Sequence, residues 1–435
     1  MRKDPMGLGL AALNRLAGSD VIDRIGIRRL TERTVYQGSR TGFSVVGATT
    51  RTFTRPLKEL TSRSVHPQRT AASGRFDLTP SEDQQMIVDL VSQFGSQVLV
   101  PAAQTADDDD RIDPAVLDQS SELGLNLLNI PESLGGLSEQ RSAVTGVLVA
   151  EAMAKADMGQ AVACLASPAV ATAISLWGDN EQQQTYLQPF TTDHVPAASL
   201  ILSEPQPLYD PFAPETTAVH ESGGYRLNGI KSGAVRAGDA ELFVVSARLD
   251  NETRLFIIEA DTPGLSVAAD PGMGLRAAGM SQLRLDDVLV PEANLLGDST
   301  DHAECVRLSR LAWSALATGT GKAVLDYVSE YVTSREAFGE PIAHRQSVAF
   351  MVANIGIELE GLRLMTYKAA ARADQGADIA REAGLARRLA SQYGMQIGTD
   401  GVQLLGGHGF VKEHPVERWY RDLRATGLME GAILV

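Results

Sequence analysis

The stretch Gln403–Gly431 constrains the fold and the chemistry of this chain more than any other. Its glycine pair Gly406–Gly407 predicts a tight turn or a close backbone approach, because glycine lacks a Cβ and tolerates positive φ. A helix C-cap is the plainer interpretation of the same pair. Glu417 and Arg421 stand four residues apart, which is typical of an ion pair on a solvated helix face. Glu430 closes the stretch together with one last glycine.

In this order the residues resemble the C-terminal signature of the acyl-CoA dehydrogenase family. That signature is a Gln-x-x-Gly-Gly turn, then Pro-x-Glu-Arg-x-x-Arg-Asp, then a Glu-Gly pair. Its counterparts here are Gln403–Gly407, Pro415–Asp422 and Glu430–Gly431. The resemblance extends from about Phe76 to the C-terminus. It implies that Glu430 is the catalytic base and that Gly431 lies at the substrate.

Composition limits the remaining possibilities. A chain of 435 residues is expected to form two or three domains with an ample core. Its two cysteines, Cys164 and Cys305, cannot form a disulfide framework or a zinc site by themselves, so no metal site is predicted and a reducing, cytoplasmic location is expected. No unbroken apolar run reaches the length of about 18 residues that suggests a spanning helix.

The charge of the chain is unevenly distributed. The net charge of −15 disfavours nucleic acid as a partner. Residues 1–75 nevertheless carry 14 Lys+Arg against 5 Asp+Glu, or +9, which leaves 25 against 49, or −24, for the rest. The family pattern does not include this extension. Three interpretations stay open: a disordered or partner-docking arm, an arm with weak membrane-surface contact, or a transit peptide that would place the protein in the mitochondrial matrix.

Hydrophobic periodicity predicts an α+β, mostly α chain in three domains after the extension. Residues 76–195 form an N-terminal helical domain, whose first helix is capped at Thr79 and has Pro80 at its first position. Residues 196–300 form a small middle β domain, with a tight turn at Asn228–Gly229. Residues 301–435 form a C-terminal four-helix bundle. This order matches the acyl-CoA dehydrogenase architecture.

The chemistry implied by the resemblance is removal of two hydrogens from the α and β carbons of an acyl-CoA thioester. A side chain such as Glu430 serves as base for the α-proton if burial tunes its carboxylate. No side chain accepts a hydride, so a cofactor is needed, and the resemblance implies FAD. It also implies that an electron-transfer flavoprotein or a similar acceptor reoxidises the flavin.

A second match lies at Arg335–Gln346, REAFGEPIAHRQ. It resembles the family element Arg-x-x-Phe-Gly-x-x-Ile…Gln, which meets the FAD pyrophosphate and adenine across a subunit boundary. Arginine suits a pyrophosphate because its guanidinium is a charged bidentate fork. A helix-end arginine and a core phenylalanine are the plainer alternative. The resemblance assigns FAD binding to five residues and implies at least a dimer, usually a tetramer: Arg335, Phe338, Gln346, Gln403 and Gly407.

The middle domain departs from the family pattern where the family contacts the flavin ring and CoA. Ser203 stands in a Ser-Glu-Pro triplet where the family has Thr-Glu-Pro, and the resemblance assigns Ser203 to the cofactor. The family's next element, Gly-x-Gly-Ser-Asp, is replaced by Gln206–Asp210. Its Trp-Ile-Thr element is replaced by Gly233–Val235, and the threonine after its Glu-Gly pair by Ala432.

These observations leave two hypotheses. The first is an FAD-dependent acyl-CoA dehydrogenase in which Glu430 takes the α-proton and flavin N5 takes the β-hydride. The second is a half-site or structural subunit of a heteromeric acyl-CoA dehydrogenase with a degraded flavin site of its own. Arg310 is retained in both: it meets a substrate carbonyl or phosphate, or it pairs with Glu304 or another acidic neighbour. The assembly is a homo- or heterotetramer.

Overall fold

The computed structural model describes residues 79–139, 141–192 and 194–435. The basic extension predicted for residues 1–75 lies outside the described residues, and so does Phe76. The described chain runs from helices through a β sheet to long helices, so the predicted α+β, mostly α architecture is confirmed.

The N-terminal region consists of six α-helices, the first two joined by a short π-helical turn. Helix α1 begins at Glu82, and its N-cap is Ser81 rather than the predicted Thr79. The Ser81 hydroxyl accepts from Gln84 N at 3.1 Å, and Gln84 Oε1 accepts from Ser81 N at 3.0 Å, so two free backbone donors are satisfied reciprocally. The six helices are α1 Glu82–Phe94, α2 Val100–Asp108, α3 Pro114–Glu122, α4 Ala143–Ala156, α5 Met158–Trp177 and α6 Asn180–Tyr186.

Two helical stretches in the described chain, Glu82–Asp108 and Met158–Trp177, are long and apolar enough on average to cross a membrane. Neither is an unbroken apolar run, since Gln and Ser interrupt both, and the sequence expectation missed them for that reason. The window in α5 is 78% buried against the rest of the fold. Helix α5 therefore fits the role of a core helix.

The middle region is an eight-stranded sheet in the order β6-β7-β3-β2-β4-β5-β8, and β1 pairs in parallel with β4. Residues of β4 alternate between two cores: Val244 faces the helical core, whereas Phe243 and Val245 face a second core enclosed by the sheet. The strands are β1 Ala198–Ile201, β2 Thr217–Glu221, β3 Gly224–Val235, β4 Leu242–Leu249, β5 Glu252–Glu259, β6 Leu265–Ala269, β7 Met280–Pro291 and β8 Leu295–Leu296.

The tight turn predicted at Asn228–Gly229 is wrong. Both residues lie inside β3, where the pairing with β7 shifts register between Leu227 and Gly229. This is a β-bulge rather than a chain reversal. The reason for glycine is a close approach, because a Cβ at Gly229 would lie 2.6 Å from Thr216 Oγ1.

The C-terminal region is built on one 36-residue helix, α7, which packs against α4, α8 and α9. A two-stranded hairpin of β9 and β10 follows α7 before the chain turns into α8. The elements are α7 Ser299–Ser334, β9 Glu336–Ala337, β10 Glu340–Pro341, α8 Gln346–Asp374, α9 Ala380–Leu405 and α10 Val416–Ala425.

Helix α10 carries the charged part of the C-terminal signature, and its charges are not a solvated face. The guanidinium of Arg421 binds both oxygens of Asp107 at 2.9 and 2.8 Å and also binds Glu417. The side chain of Asp107 is 4% exposed. This bidentate pair joins α10 to α2, so the predicted i,i+4 pair is one part of a contact between the N-terminal helical region and the last helix.

A second set of charges on α10 is buried more deeply. Arg418 Nε donates to Asp157 Oδ2 at 3.1 Å, and Asp157 is also the N-cap of α5. Asp422 Oδ1 accepts from Leu275 N at 2.6 Å, in the loop between β6 and β7. Burial, and then the nearby charge of Asp157, raises the pKa of Asp422 to about 7. The signature on α10 therefore holds the helical regions and the sheet together.

The raised pKa of Asp422 predicts a pH-dependent stability. Between its ordinary pKa of 3.8 and about 7, the folded chain holds a proton on Asp422 that the unfolded chain releases, so this group lowers the free energy of unfolding as the pH rises through that window. Asp422→Asn keeps an acceptor for Leu275 N–H without the charge. We expect its melting temperature to gain several degrees on the wild type between pH 5 and pH 8, measured by calorimetry.

The exposed Asp109→Asn change is the matched control, and its difference from the wild type should stay constant over the same range. A constant difference for Asp422→Asn as well would contradict the assignment.

Candidate active site

Glu430 lies where the sheet meets the helical bundle, and it is 6% exposed. Its backbone is held by Ser203, just beyond β1. Glu430 N donates to Ser203 Oγ at 3.1 Å, and Ser203 Oγ donates to Glu430 O at 2.9 Å. The hydroxyl of Ser203 is therefore engaged by the candidate base, and its role in this structure is to position Glu430.

Gly431 is held from the opposite side, by helix α7. Its carbonyl accepts from Ser309 Oγ and from Trp313 Nε1, each at 2.9 Å, and its N–H donates to Ser309 Oγ at 2.8 Å. Gly431 has φ +78°, and a Cβ there would lie 2.9 Å from Leu202 N. Glycine is thus required by the backbone, and both polar groups of the predicted substrate residue already have partners within the chain.

The carboxylate of Glu430 faces two arginines. Arg310 Nη2 and Nε lie 2.8 and 2.9 Å from Oε1, and Nε lies 3.1 Å from Oε2. Arg387 Nη2, from α9, lies 3.6 Å from Oε1. The alternative that Arg310 pairs with an acidic neighbour is the one observed here, and that neighbour is Glu430 rather than Glu304. Oε2 is the less engaged of the two carboxylate oxygens.

The segment that replaces the glycine-rich family element folds over this ion pair. The Tyr209 hydroxyl lies 2.9 Å from Ser203 Oγ and 3.4 Å from the carbonyl oxygen of Leu428. The ring of Phe212 lies under the Arg310 guanidinium, with the Cζ atom 5.3 Å from the ring centroid, a cation–π distance. Tyr209 therefore contacts the serine that holds Glu430, and Phe212 contacts the arginine that pairs with it.

The departure at Gly233–Val235 also has a structural counterpart. Gly233 has φ +61°, and a Cβ there would lie 2.9 Å from Met429 Cε. The side chain of Met429, which is 7% exposed, therefore takes up the space beside β3. The residue directly before Glu430 fills the place next to the altered strand.

A fully buried ion pair lies beside Ser203, in the segment that follows β1. Lys231 Nζ donates to Glu204 Oε1 at 2.9 Å and to Ser246 Oγ at 3.0 Å. Burial lowers the pKa of Lys231 to about 8. Burial works in the opposite sense on Glu204, but the Lys231 charge and a hydrogen bond from Thr216 outweigh it and lower the Glu204 pKa to about 2. Both groups are therefore charged at neutral pH.

Of the six residues assigned to FAD by resemblance, Ser203 is buried against Glu430, and the other five lie on the surface. Phe338 is 94% exposed in the β9–β10 hairpin, with φ +58°, so the predicted alternative of a core phenylalanine is wrong. The Arg335 side chain makes no ion pair with any residue that the structure describes. Gly406 ends α9, as the C-cap interpretation predicts. The other members of this exposed set are Gln346, Gln403 and Gly407.

Three family models match the chain in sequence order. They are the acyl-CoA dehydrogenase N-terminal domain at residues 81–194, the middle domain at 199–288 and the C-terminal domain at 302–434. A Bacillus subtilis acyl-CoA dehydrogenase is 30% identical over 363 residues, which are 81% of this chain and 95% of that protein. The chain belongs to the acyl-CoA dehydrogenase family.

Other members of the acyl-CoA dehydrogenase family match over a similar length. The short-chain specific mitochondrial enzyme of mouse is 30% identical over 80% of this chain and 87% of its own. The solved butyryl-CoA dehydrogenase of Megasphaera elsdenii superposes with a TM-score of 0.75 at 29% identity, over 82% and 96%. An FAD complex of PigA superposes with a TM-score of 0.75 at 26% identity, over 82% and 96%. Family members are FAD-dependent oxidoreductases.

The residues of this acyl-CoA dehydrogenase family member fit FAD at one end of the cofactor. An exposed guanidinium at Arg335 and an exposed ring at Phe338 are groups that a pyrophosphate and an adenine would cover. The ring end differs, because Met429 occupies the space beside Gly233. The fit is therefore good for the dinucleotide end and altered for the isoalloxazine end.

Reasoning from the sequence missed Arg387, Ser309 and Trp313. Each lies on a long helix whose turn spacing says only that one face is buried, and nothing local distinguishes these side chains from core or surface neighbours. Their roles depend on the C-terminal segment, which packs between α7 and β1. Ser309 and Gly431, for example, are in contact although 122 residues separate them in the sequence.

The buried ion pair of Lys231 and Glu204 predicts a large loss of stability when one of its charges is removed. Lys231→Met leaves Glu204 buried and uncompensated, and we expect the free energy of unfolding to fall by about 3–5 kcal/mol in urea titrations. The double change Glu204→Gln, Lys231→Met removes both charges and should recover most of that loss. A single variant as stable as the double one would show that the pair is not compensating buried charge.

Proposed function

We propose that this chain dehydrogenates an acyl-CoA thioester between its α and β carbons, with Glu430 as the base. The observation that carries the proposal is the placement of one buried carboxylate between the sheet and the bundle, held through its own backbone by Ser203 and through the next residue by Ser309. Similarity to short-chain acyl-CoA and butyryl-CoA dehydrogenases supports this substrate class.

The chain's own residues provide the proton acceptor and its orientation. The Cα–H bond of the thioester breaks with transfer of the proton to Glu430 Oε2, which has one arginine contact where Oε1 has three. When bound, FAD would supply the chemistry that removes the hydride from the β carbon. Arg310, which lies against Phe212, holds the carboxylate in place, and Tyr209 contacts the Ser203 hydroxyl that holds the Glu430 backbone.

The assembly that completes the site is proposed from the exposed residues. Arg335 and Phe338 would meet the FAD pyrophosphate and adenine of a neighbouring subunit, together with Gln346, Gln403 and Gly407. Helix α8 exposes Phe350, Ile357 and Leu364, which are 59%, 70% and 47% exposed and stand seven residues apart on one face. A stripe of this kind is typical of an interface between subunits.

Electron transfer out of the site requires an external acceptor. One solved neighbour, at a TM-score of 0.75 and 30% identity, comes from a study of the electron transferring flavoprotein of Acidaminococcus fermentans. We propose a similar flavoprotein as the acceptor for this chain.

A second function, that of a half-site subunit, is favoured by the contact between Met429 and Gly233. Residues that serve a neighbour's cofactor are exposed and available, whereas the space for this chain's own flavin ring is partly filled. Such a subunit assembles with a homologous partner into a heterotetramer with fewer flavins than subunits.

The base assignment predicts that Glu430→Gln slows flavin reduction by acyl-CoA at least about 100-fold, because the amide keeps the shape but cannot accept the proton. Stopped-flow absorbance of the flavin measures this rate. The exposed Glu413→Gln change, in the same segment, is the control and should leave the rate unaltered. A near wild-type rate in Glu430→Gln would remove Glu430 from the mechanism.

The two assembly hypotheses predict different flavin contents. Flavin absorbance per protomer, combined with native mass spectrometry of the chain expressed alone, decides between them. A homotetramer with about one FAD per chain, active on acyl-CoA, supports the complete enzyme. A flavin-poor chain that gains flavin and stability with a homologous partner supports the half-site, since a ligand bound only by the folded state stabilises it.

A further inference from the structure

The group around Glu430 carries an excess of positive charge. Arg310 and Arg387 share the single carboxylate of Glu430, and in the described part of the chain neither guanidinium is within ion-pair distance of another acid. The two arginine side chains are 21% and 11% exposed. An arginine keeps its proton in proteins, so this nearly enclosed group has a formal charge of +1.

Arg387 is the incompletely bonded member of the group. Its Nη1 is buried and has no hydrogen-bond partner, and its Nη2 reaches Glu430 Oε1 only at 3.6 Å. Arg310, by contrast, makes three close contacts with the carboxylate and lies against the Phe212 ring. A buried donor without an acceptor is costly, so Arg387 is the natural place for an additional anionic acceptor.

The position of Arg387 defines which part of a substrate carries that anion. Its guanidinium lies next to the same carboxylate that takes the α-proton, so a group bound to Arg387 must be only a few bonds from the α carbon. That distance places the anion in the acyl portion rather than in the nucleotide portion of CoA. An α,β-dehydrogenation also requires a hydrogen on the β carbon, so succinyl is the shortest saturated diacid monothioester that qualifies.

We propose that Arg387 binds a carboxylate on the acyl group, and that the preferred substrates are CoA monothioesters of short dicarboxylic acids such as succinate and glutarate. The proposal rests on the proposed function, whose substrate class it narrows. A planar carboxylate matches the guanidinium fork and gives the unpaired Nη1 its acceptor. The substrate carboxylate also takes the place of the Glu430 carboxylate as the partner of Arg387. Glu430 then keeps only one of its two arginine contacts.

The test is a binding measurement on the full chain in its native assembly. Isothermal titration compares butyryl-CoA with glutaryl-CoA, and the N-acetylcysteamine thioesters of the same two acids, for the wild type, Arg387→Met and Arg387→Lys. We expect the wild type to prefer the glutaryl ligand in both series. Arg387→Met should weaken glutaryl binding roughly 10- to 100-fold and butyryl binding much less, as expected for loss of one charge-assisted pair. Arg387→Lys keeps the charge but loses the planar guanidinium, so its affinity for the glutaryl ligands should lie between those of the wild type and Arg387→Met.

Arg388→Met is the matched control, because Arg388 is the next residue on α9 and is exposed. Equal weakening of both CoA esters, with no effect on the cysteamine esters, would show that Arg387 reads a CoA phosphate and would overturn the proposal. A wild type without preference for glutaryl would overturn it too, even if Arg387→Met does not fold. If the glutaryl preference is absent but butyryl-CoA still reduces the flavin in a Glu430-dependent way, the proposed function is supported without the anion site. If glutaryl is preferred but no thioester reduces the flavin, the anion site is supported and the proposed function is contradicted.

Discussion

The backbone on either side of the Glu430 carboxylate is fixed by hydrogen bonds from two different parts of the fold. Ser203 belongs to the segment after β1, and Ser309 belongs to α7. An isolated bridge between Ile201 and Gly431 adds the sheet backbone itself to this anchorage. The position of the Glu430 side chain therefore depends on how the sheet packs against the bundle, and a shift of either one moves the carboxylate.

The charges on α10 maintain that packing from a distance. Arg421 joins α10 to α2 through Asp107, and Arg418 joins it to the start of α5 through Asp157. The chain leaves α10 and reaches Glu430 within five residues of Ala425. The charged residues of α10 thus have a structural role, because they fix the helix from which the chain continues to Glu430.

The same arginines that neutralise Glu430 also restrain it. A buried carboxylate without a partner is strongly destabilising, so Arg310 makes the burial of Glu430 tolerable. The contacts engage Oε1 far more than Oε2, so Oε2 is the oxygen with the fewer partners. Arg387 lies 3.6 Å from Oε1 and is the weaker of the two arginine contacts.

The sequence predicted the fold class and the helical, β, helical order because periodicity and turn residues are local properties. Its resemblance to the family lies in short contiguous motifs and put forward Glu430 and Arg310 as candidate site residues, and the two side chains form one ion pair in the structure. It did not identify Arg387, and it placed a turn at Asn228–Gly229 where a bulge stands, because both depend on contacts between distant segments. The exposure of Phe338 likewise follows from the hairpin geometry rather than from its local pattern.

Met429 links the altered strand segment Gly233–Val235 to Glu430, because its side chain packs beside Gly233 and its backbone is bonded to Glu430. Met429 fills the space beside Gly233, and Met429 is bonded to Glu430. A flavin ring seated against β3, as the resemblance implies, would have to displace the Met429 side chain, whereas Ser203 holds the backbone of Glu430. Methionine is unbranched and has flexible torsions, so its side chain can withdraw without moving that backbone. Under both proposed functions the altered strand leaves Glu430 in place. Space for a flavin ring would then depend on the position of the Met429 side chain, and the complete enzyme and the half-site subunit differ in that position.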